Sequence, residues 1–195
     1  MMLYFCFMEF VESRSSIWQG AATGMTVSAL NHVAHRMSFG DFLDERAKQL
    51  FGEDYKQKFG VSKLKLGSSI GKNGITTESG DVYTYDKNSE FILVNNKEPI
   101  RAITLKSSRA IYISDYIFKH SVDFFQATLG HELIHTYHYM KGMNNLSNSE
   151  YSAYQYSIDF YDSKGWNSSK FYDLQKQYNL NCSYDYQNIP GFPIP

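Results

Sequence analysis

The chain has 195 residues, of which 43% are apolar and 20% charged, with a net charge of -1. This size and balance suit one domain with its own core and exclude wholesale disorder. A near-neutral chain has no bulk attraction for DNA or RNA, so no nucleic-acid partner is expected. The two cysteines, Cys6 and Cys182, exclude a disulfide scaffold and a cysteine-based structural zinc site.

Met1 to Met8 is apolar, but no basic residue precedes it and Glu9 and Glu12 follow, which makes a poor secretory signal. Ile17 to Ala34 is interrupted by Gln19, Asn31 and His32 and falls short of a membrane span, so no stable membrane insertion is expected. Ser16 to Met37 is rich in Gly, Ala and Ser; residues 1–40 read as an N-terminal helical arm and 41–195 as the main domain. His32 and His35 stand three apart, a surface pair without a third ligand. Asp41 to Phe51 predicts a short helix with Phe42, Leu43, Ala47 and Leu50 near one face, ended by Gly52. The glycine-rich stretch 60–81 reads as loops or short strands, and Gly71-Lys72-Asn73-Gly74 as a turn without Walker spacing.

Val82 to Tyr85, Phe91 to Asn95, Ala102 to Lys106 and Ala110 to Ser114 predict an antiparallel meander of about four strands. Ser121 to Met140 carries Val122, Phe125, Leu129, Leu133 and Ile134 at helical spacing, with Gly142 as the stop. Asn148 or Ser149 is the expected cap of a second helix through Asp162, and residues 168 to 178 form a third. The tail from Ile189 is read as extended or disordered. Strands followed by helices predict an α+β fold, a small antiparallel sheet against the helix of residues 121–140 and its successor.

That helix contains His131-Glu132-Leu133-Ile134-His135, an H-E-x-x-H motif. Residues i and i+4 share a helix face about 6 Å apart along the axis, so both imidazoles can reach one zinc ion. Glu132 is rotated by about 100° and addresses a water rather than the metal. A catalytic zinc takes three protein ligands. His138 lies about 10.5 Å along the axis from His131 and cannot share a metal with both histidines. Lys141 excludes the metzincin pattern. Glu150, the only Glu after Glu132, is the expected third ligand, brought back by the turn at 142–149; Asp159 is its rival. His120 reads as a loop residue near the substrate side. One phenol of Tyr151, Tyr154, Tyr156 and Tyr161 is a candidate oxyanion donor, with no basis for choosing among them.

The run Gly130 to His135, with Glu150 and Ala153 downstream, resembles the gluzincin branch of zinc metallopeptidases, and Leu129 to Gly142 resembles bacterial zincin effector and toxin proteases. The run Ile17 to Gly24, continued by Asn31 to His35, is similar to a segment preceding the variable toxin in RHS-repeat polymorphic toxins. These resemblances imply a zincin-like fold and zinc held by His131, His135 and Glu150, with Glu132 as general base. They further imply a carrier remnant near residues 1–40, delivery to a target cell as part of a larger secreted toxin, and a cognate immunity protein.

The expected activity is zinc-dependent endopeptidase action on a protein or peptide. The strand at Ala110 to Ser114 is expected to form the cleft edge for an extended substrate. The alternatives are a non-catalytic metal-binding or interaction module on the same fold and, behind it, a hydrolase of non-peptide substrates. Cys6 is considered as a latency ligand for the open metal position.

Overall fold

The computed structural model describes residues 39–70, 74–85, 91–93 and 99–195. The expected arm, with His32, His35 and Cys6, lies outside the described residues, apart from the last two positions of its 1–40 range. Residues Phe39–Pro195 form one compact unit of mixed α and β structure.

Helix α1 (Phe39–Phe51) begins two residues earlier than the periodicity indicates. It buries Leu43, Ala47 and Phe51 at successive i+4 steps, the stripe expected of a one-sided helix. A short α2 (Tyr55–Phe59) follows. Asp44 of α1 joins the two, accepting from the Tyr55 hydroxyl at 2.5 Å and pairing with Lys56 at 2.6 Å.

The strands do not form one meander. β1 (Lys63–Leu66), β6 (Ala102–Leu105) and β7 (Ala110–Ile113) make one sheet in the order β1-β7-β6. β1 runs parallel to β7, and β6 antiparallel to it. A second, antiparallel sheet joins β2 (Ile75–Thr76), β3 (Val82–Tyr85), β4 (Phe91–Leu93) and β5 (Pro99–Ile100) in chain order. β1 comes from the glycine-rich stretch read as loops or short strands: Lys63-Leu64-Lys65-Leu66 alternates polar and apolar, and what the sequence did not show is its parallel pairing with β7. The consequence for the site is direct. β7 is paired on both sides and cannot be a cleft edge, whereas β6 pairs only with β7 among the described residues and carries the open edge.

Helix α3 (Val122–Met140) is central. Ser121 caps it by accepting from the Phe124 N–H, an interaction worth about 1 kcal/mol. Phe125, Leu129, Leu133 and Ile134 are buried, each contributing about 1.5–3 kcal/mol on transfer from water. The helix stops in a Schellman turn: Gly142 takes φ 72°, and the Met143 N–H reaches the His138 carbonyl at 2.9 Å. Helix α4 (Leu146–Ser163) then packs back along α3. Asn145, not Asn148 or Ser149, is its cap, so Ser149 and Glu150 lie inside the helix. Helix α5 (Ser169–Gln175) is shorter than expected.

The tail from Ile189 has no regular secondary structure beyond a turn, yet it packs on the core. Tyr186, Ile189 and Phe192 are buried, and Phe192 packs its ring against Phe51, Phe59 and Tyr156. Aromatic side chains bury large areas, and this cluster locks the C-terminal segment onto α1, α2 and α4.

Tyr156 also explains Gly130. A Cβ added at Gly130 would sit 2.3 Å from the buried Tyr156 ring, so α3 and α4 meet only with hydrogen at that position. Gly130→Ala gains helix propensity, but the overpacking outweighs it. The variant is expected to lose about 1–2 kcal/mol in urea unfolding.

Candidate metal centre

The α3–α4 pairing sets the site. α3 offers His131 and His135 from one face, and α4 offers Glu150 opposite them. His131 Nε2 lies 3.8 Å from Glu150 Oε2, and His135 Nε2 lies 3.5 Å from Glu150 Oε1. The ligand atoms of the three residues all fall within 4.8 Å of one another, a group able to hold a metal ion. Side-chain exposures of 16% for His131 and 21% for Glu150 leave the group open to solvent on one side, while His135 is buried.

Both imidazoles are held from behind by serines of α4. His131 Nδ1 is 3.1 Å from Ser157 Oγ, and Ser157 donates onward to the Ala153 carbonyl at 3.1 Å. His135 Nδ1 is 2.8 Å from Ser149 Oγ. Hydrogen bonding at Nδ1 fixes ring orientation and leaves Nε2 for a metal. Helix α4 therefore supplies one member of the group and the supports of the other two, with Ser149, Ala153 and Ser157 along one stripe.

The charges are consistent with this grouping. Burial opposes ionisation of Glu150, but the neighbouring His135 and His131 more than compensate and hold its carboxyl below the usual range. Burial also pushes His131 down, and the two carboxylates Glu132 and Glu150 reverse this to a net rise. For His135 burial prevails, and it stays below its ordinary value.

Glu132 is not one of the trio, and its carboxylate reaches the sheet. Its Oε2 accepts from Thr104 Oγ1 of β6 at 2.5 Å, and the residue is only 8% exposed. Thr104 was not foreseen, because nothing local marks a strand residue that meets a helix 28 positions on. Glu78, in the β2–β3 turn, accepts from the backbone N–H of Ser107 at 2.6 Å and of Lys106 at 3.2 Å, fixing the loop beyond β6.

Tyrosines line the surroundings. Among the four sequence candidates, Tyr154 stands against the His131 ring at 5.0 Å. Tyr156 is in the core, and Tyr161 packs on Trp166 and Phe171. Tyr139, one turn after His135, stacks on that ring and went unnoticed despite its i+4 spacing. Burial, reinforced by the Glu150 charge, raises the phenols of Tyr139 and Tyr154, and likewise Tyr83 and Tyr178, so they stay protonated and able to donate.

Asp159 is engaged elsewhere, accepting from the Tyr186 hydroxyl at 2.5 Å and from Gln155 at 2.8 Å. His120 is exposed and sits between the rings of Tyr116 and Phe124, apart from the trio. His138 is outside the ligand group, as its axial rise requires, but it is 1% exposed and its Nδ1 lies 2.9 Å from the same Ser149 Oγ that meets His135. Its Nε2 has no hydrogen bond of good geometry, although the Tyr184 backbone is near enough to favour the charged form slightly. Among the described residues no helix is long and apolar enough to cross a membrane.

Searches against models of known protein families, curated proteins and solved structures return no match.

Burial, aided by the neighbouring His135, lowers His138 to about 3. The unfolded chain takes up a proton there near 6.5, the folded chain only near 3. The unfolded state thus binds more protons across that window, and stability falls as the pH falls through it. Urea unfolding of metal-free protein is expected to show a shallower acid loss in His138→Asn than in wild type between pH 6.5 and about 4.

Proposed function

We propose that the chain is a zinc-dependent endopeptidase of zincin-like architecture. The observation that carries this reading is the placement of Glu132. It follows directly on one ligand of a His131-His135-Glu150 group, points to the open sheet edge, and is held there by Thr104.

The donor set fits zinc. Two imidazoles and a carboxylate are the ligand types of hydrolytic zinc sites, and tetrahedral bonds of 2.0–2.2 Å need ligand atoms about 3.4 Å apart. The two histidine–carboxylate separations, 3.5 and 3.8 Å, lie near this value, and all three ligand atoms fall within 4.8 Å of one another. Bound zinc supplies Lewis-acid activation of a water and of the scissile carbonyl. Glu132 is the general base: Thr104 occupies Oε2, and Oε1 is left to take the proton of the attacking water and pass it to the departing amine. The edge of β6 away from β7, unpaired among the described residues, offers backbone groups to an extended peptide, which would lie across the mouth of the site. Tyr154 and Tyr139 flank the imidazoles as protonated donors for substrate oxygens. The delivered-toxin setting and its immunity partner are supported by the resemblance of residues 17–35, which lie outside the described residues.

The test is peptide hydrolysis by the purified chain alongside its zinc content. Glu132→Gln is expected to lower kcat by about 100-fold or more with zinc retained, whereas Glu150→Ala loses the metal. Zinc retention with undiminished cleavage by Glu132→Gln would remove the proposed mechanism. Thr104→Val is expected to reduce kcat by about tenfold with KM and zinc content unchanged, and Thr104→Ser to restore it; steady-state kinetics on the two variants checks this.

A further inference from the structure

We infer that Ser149 and His138 act together as positioning residues for His135, fixing the tautomer that can bind metal. The inference rests on the metal-binding part of the proposed function and adds a third histidine to the site that is not a ligand.

Ser149 Oγ lies 2.8 Å from His135 Nδ1 and 2.9 Å from His138 Nδ1, and Ser149 and His138 are both shut off from solvent. A hydroxyl has one proton. Where that proton bridges the two rings, Ser149 donates to one and accepts from the other, and the bridge has two arrangements. In the first, His135 carries its proton on Nδ1 and donates to Ser149, which donates to His138. His135 Nε2 is then a lone pair facing Glu150. In the second, His138 donates to Ser149 and Ser149 donates to His135. The His135 proton then sits on Nε2, 3.5 Å from Glu150 Oε1, in the place a metal would take. His138 decides between them by giving the Ser149 proton somewhere else to go. Without an acceptor on that side, the buried hydroxyl turns to His135 and favours the wrong tautomer.

The same ring connects the site to the C-terminal segment. Tyr184 covers His138 edge-on at 5.0 Å, and its hydroxyl accepts from the Asn145 N–H that opens α4, at 3.1 Å. The support of His135 is thus closed from three sides: α3, α4 and the turn at Cys182–Tyr184.

The test uses the full chain stripped of metal and titrated with zinc against a chromophoric chelator. His138→Leu and His138→Asn remove the ring alike and differ mainly in whether an acceptor remains near the Nδ1 position. Ser149→Ala and His138→Leu are expected to weaken zinc binding by about 10–100-fold each, and His138→Asn by no more than about threefold. The Ser149→Ala/His138→Leu double variant is expected to bind no more weakly than the worse single variant, because both act through one hydroxyl. Equal losses in His138→Leu and His138→Asn, single effects that multiply, or wild-type affinity in His138→Leu would each overturn the inference. Should His138→Leu fail to fold, Ser149→Ala and His138→Asn carry the test: a loss in the first with near-wild-type affinity in the second supports the inference, and the converse overturns it. Wild-type protein that binds zinc but cleaves no peptide would sink the peptidase reading and leave this inference standing. Wild-type protein that binds no zinc would sink both.

Discussion

The close approach of α3 and α4 is the constraint on which the centre depends. A serine side chain reaches only a short way from its helix, yet Ser149 and Ser157 contact imidazoles on the facing helix at 2.8 and 3.1 Å. That is possible because the α4 stripe facing α3 is made of Ser149, Ala153 and Ser157, and because Gly130 yields space to Tyr156 on the other side. Larger residues would separate the helices, and Glu150 would be carried away from both histidines at once. Ligand geometry and helix packing are therefore one property here: the side chains that let the helices meet are those that orient the rings.

Much of the centre was legible in sequence because its information is local. The H-E-x-x-H spacing sets two ligands on one helix face whatever the rest of the fold does, and Gly142 followed by a helical pattern returns the chain toward them. Glu150 was found by its being the only Glu downstream. The supporting residues were not legible for the opposite reason. Thr104 meets Glu132 across 28 positions of chain, and Ser149 reads in sequence as an ordinary helix-start serine. Its adjacency to Glu150 was the available signal, since a ligand helix also presents that residue's neighbours to the site.

The sheet was half legible. Strand propensity marked β3, β4, β6 and β7, but propensity says nothing about partners, and consecutive strands were read as one meander. The observed order separates them into two sheets: β4 takes β5 rather than β6 as its second partner, and β1 joins the far side of β7. This moves the expected edge from β7 to β6, beside Glu132 rather than one strand removed from it. The burial of the tail was not legible because its prolines and glycine signal a break in secondary structure and say nothing of burial. Tyr186, Ile189 and Phe192 lie in the core without belonging to a long element.

The position of Tyr184 also bears on how the molecule is made. Translation delivers α3 and α4, with all three ligands and both serines, before the turn at Cys182–Tyr184 that covers His138. The rings that seal the core, Tyr186 and Phe192, come later still. A nascent chain thus carries the ligand residues but lacks the cover that completes the support of His135. Synthesis in chain order therefore presents His131, His135 and Glu150 before the segment that covers His138.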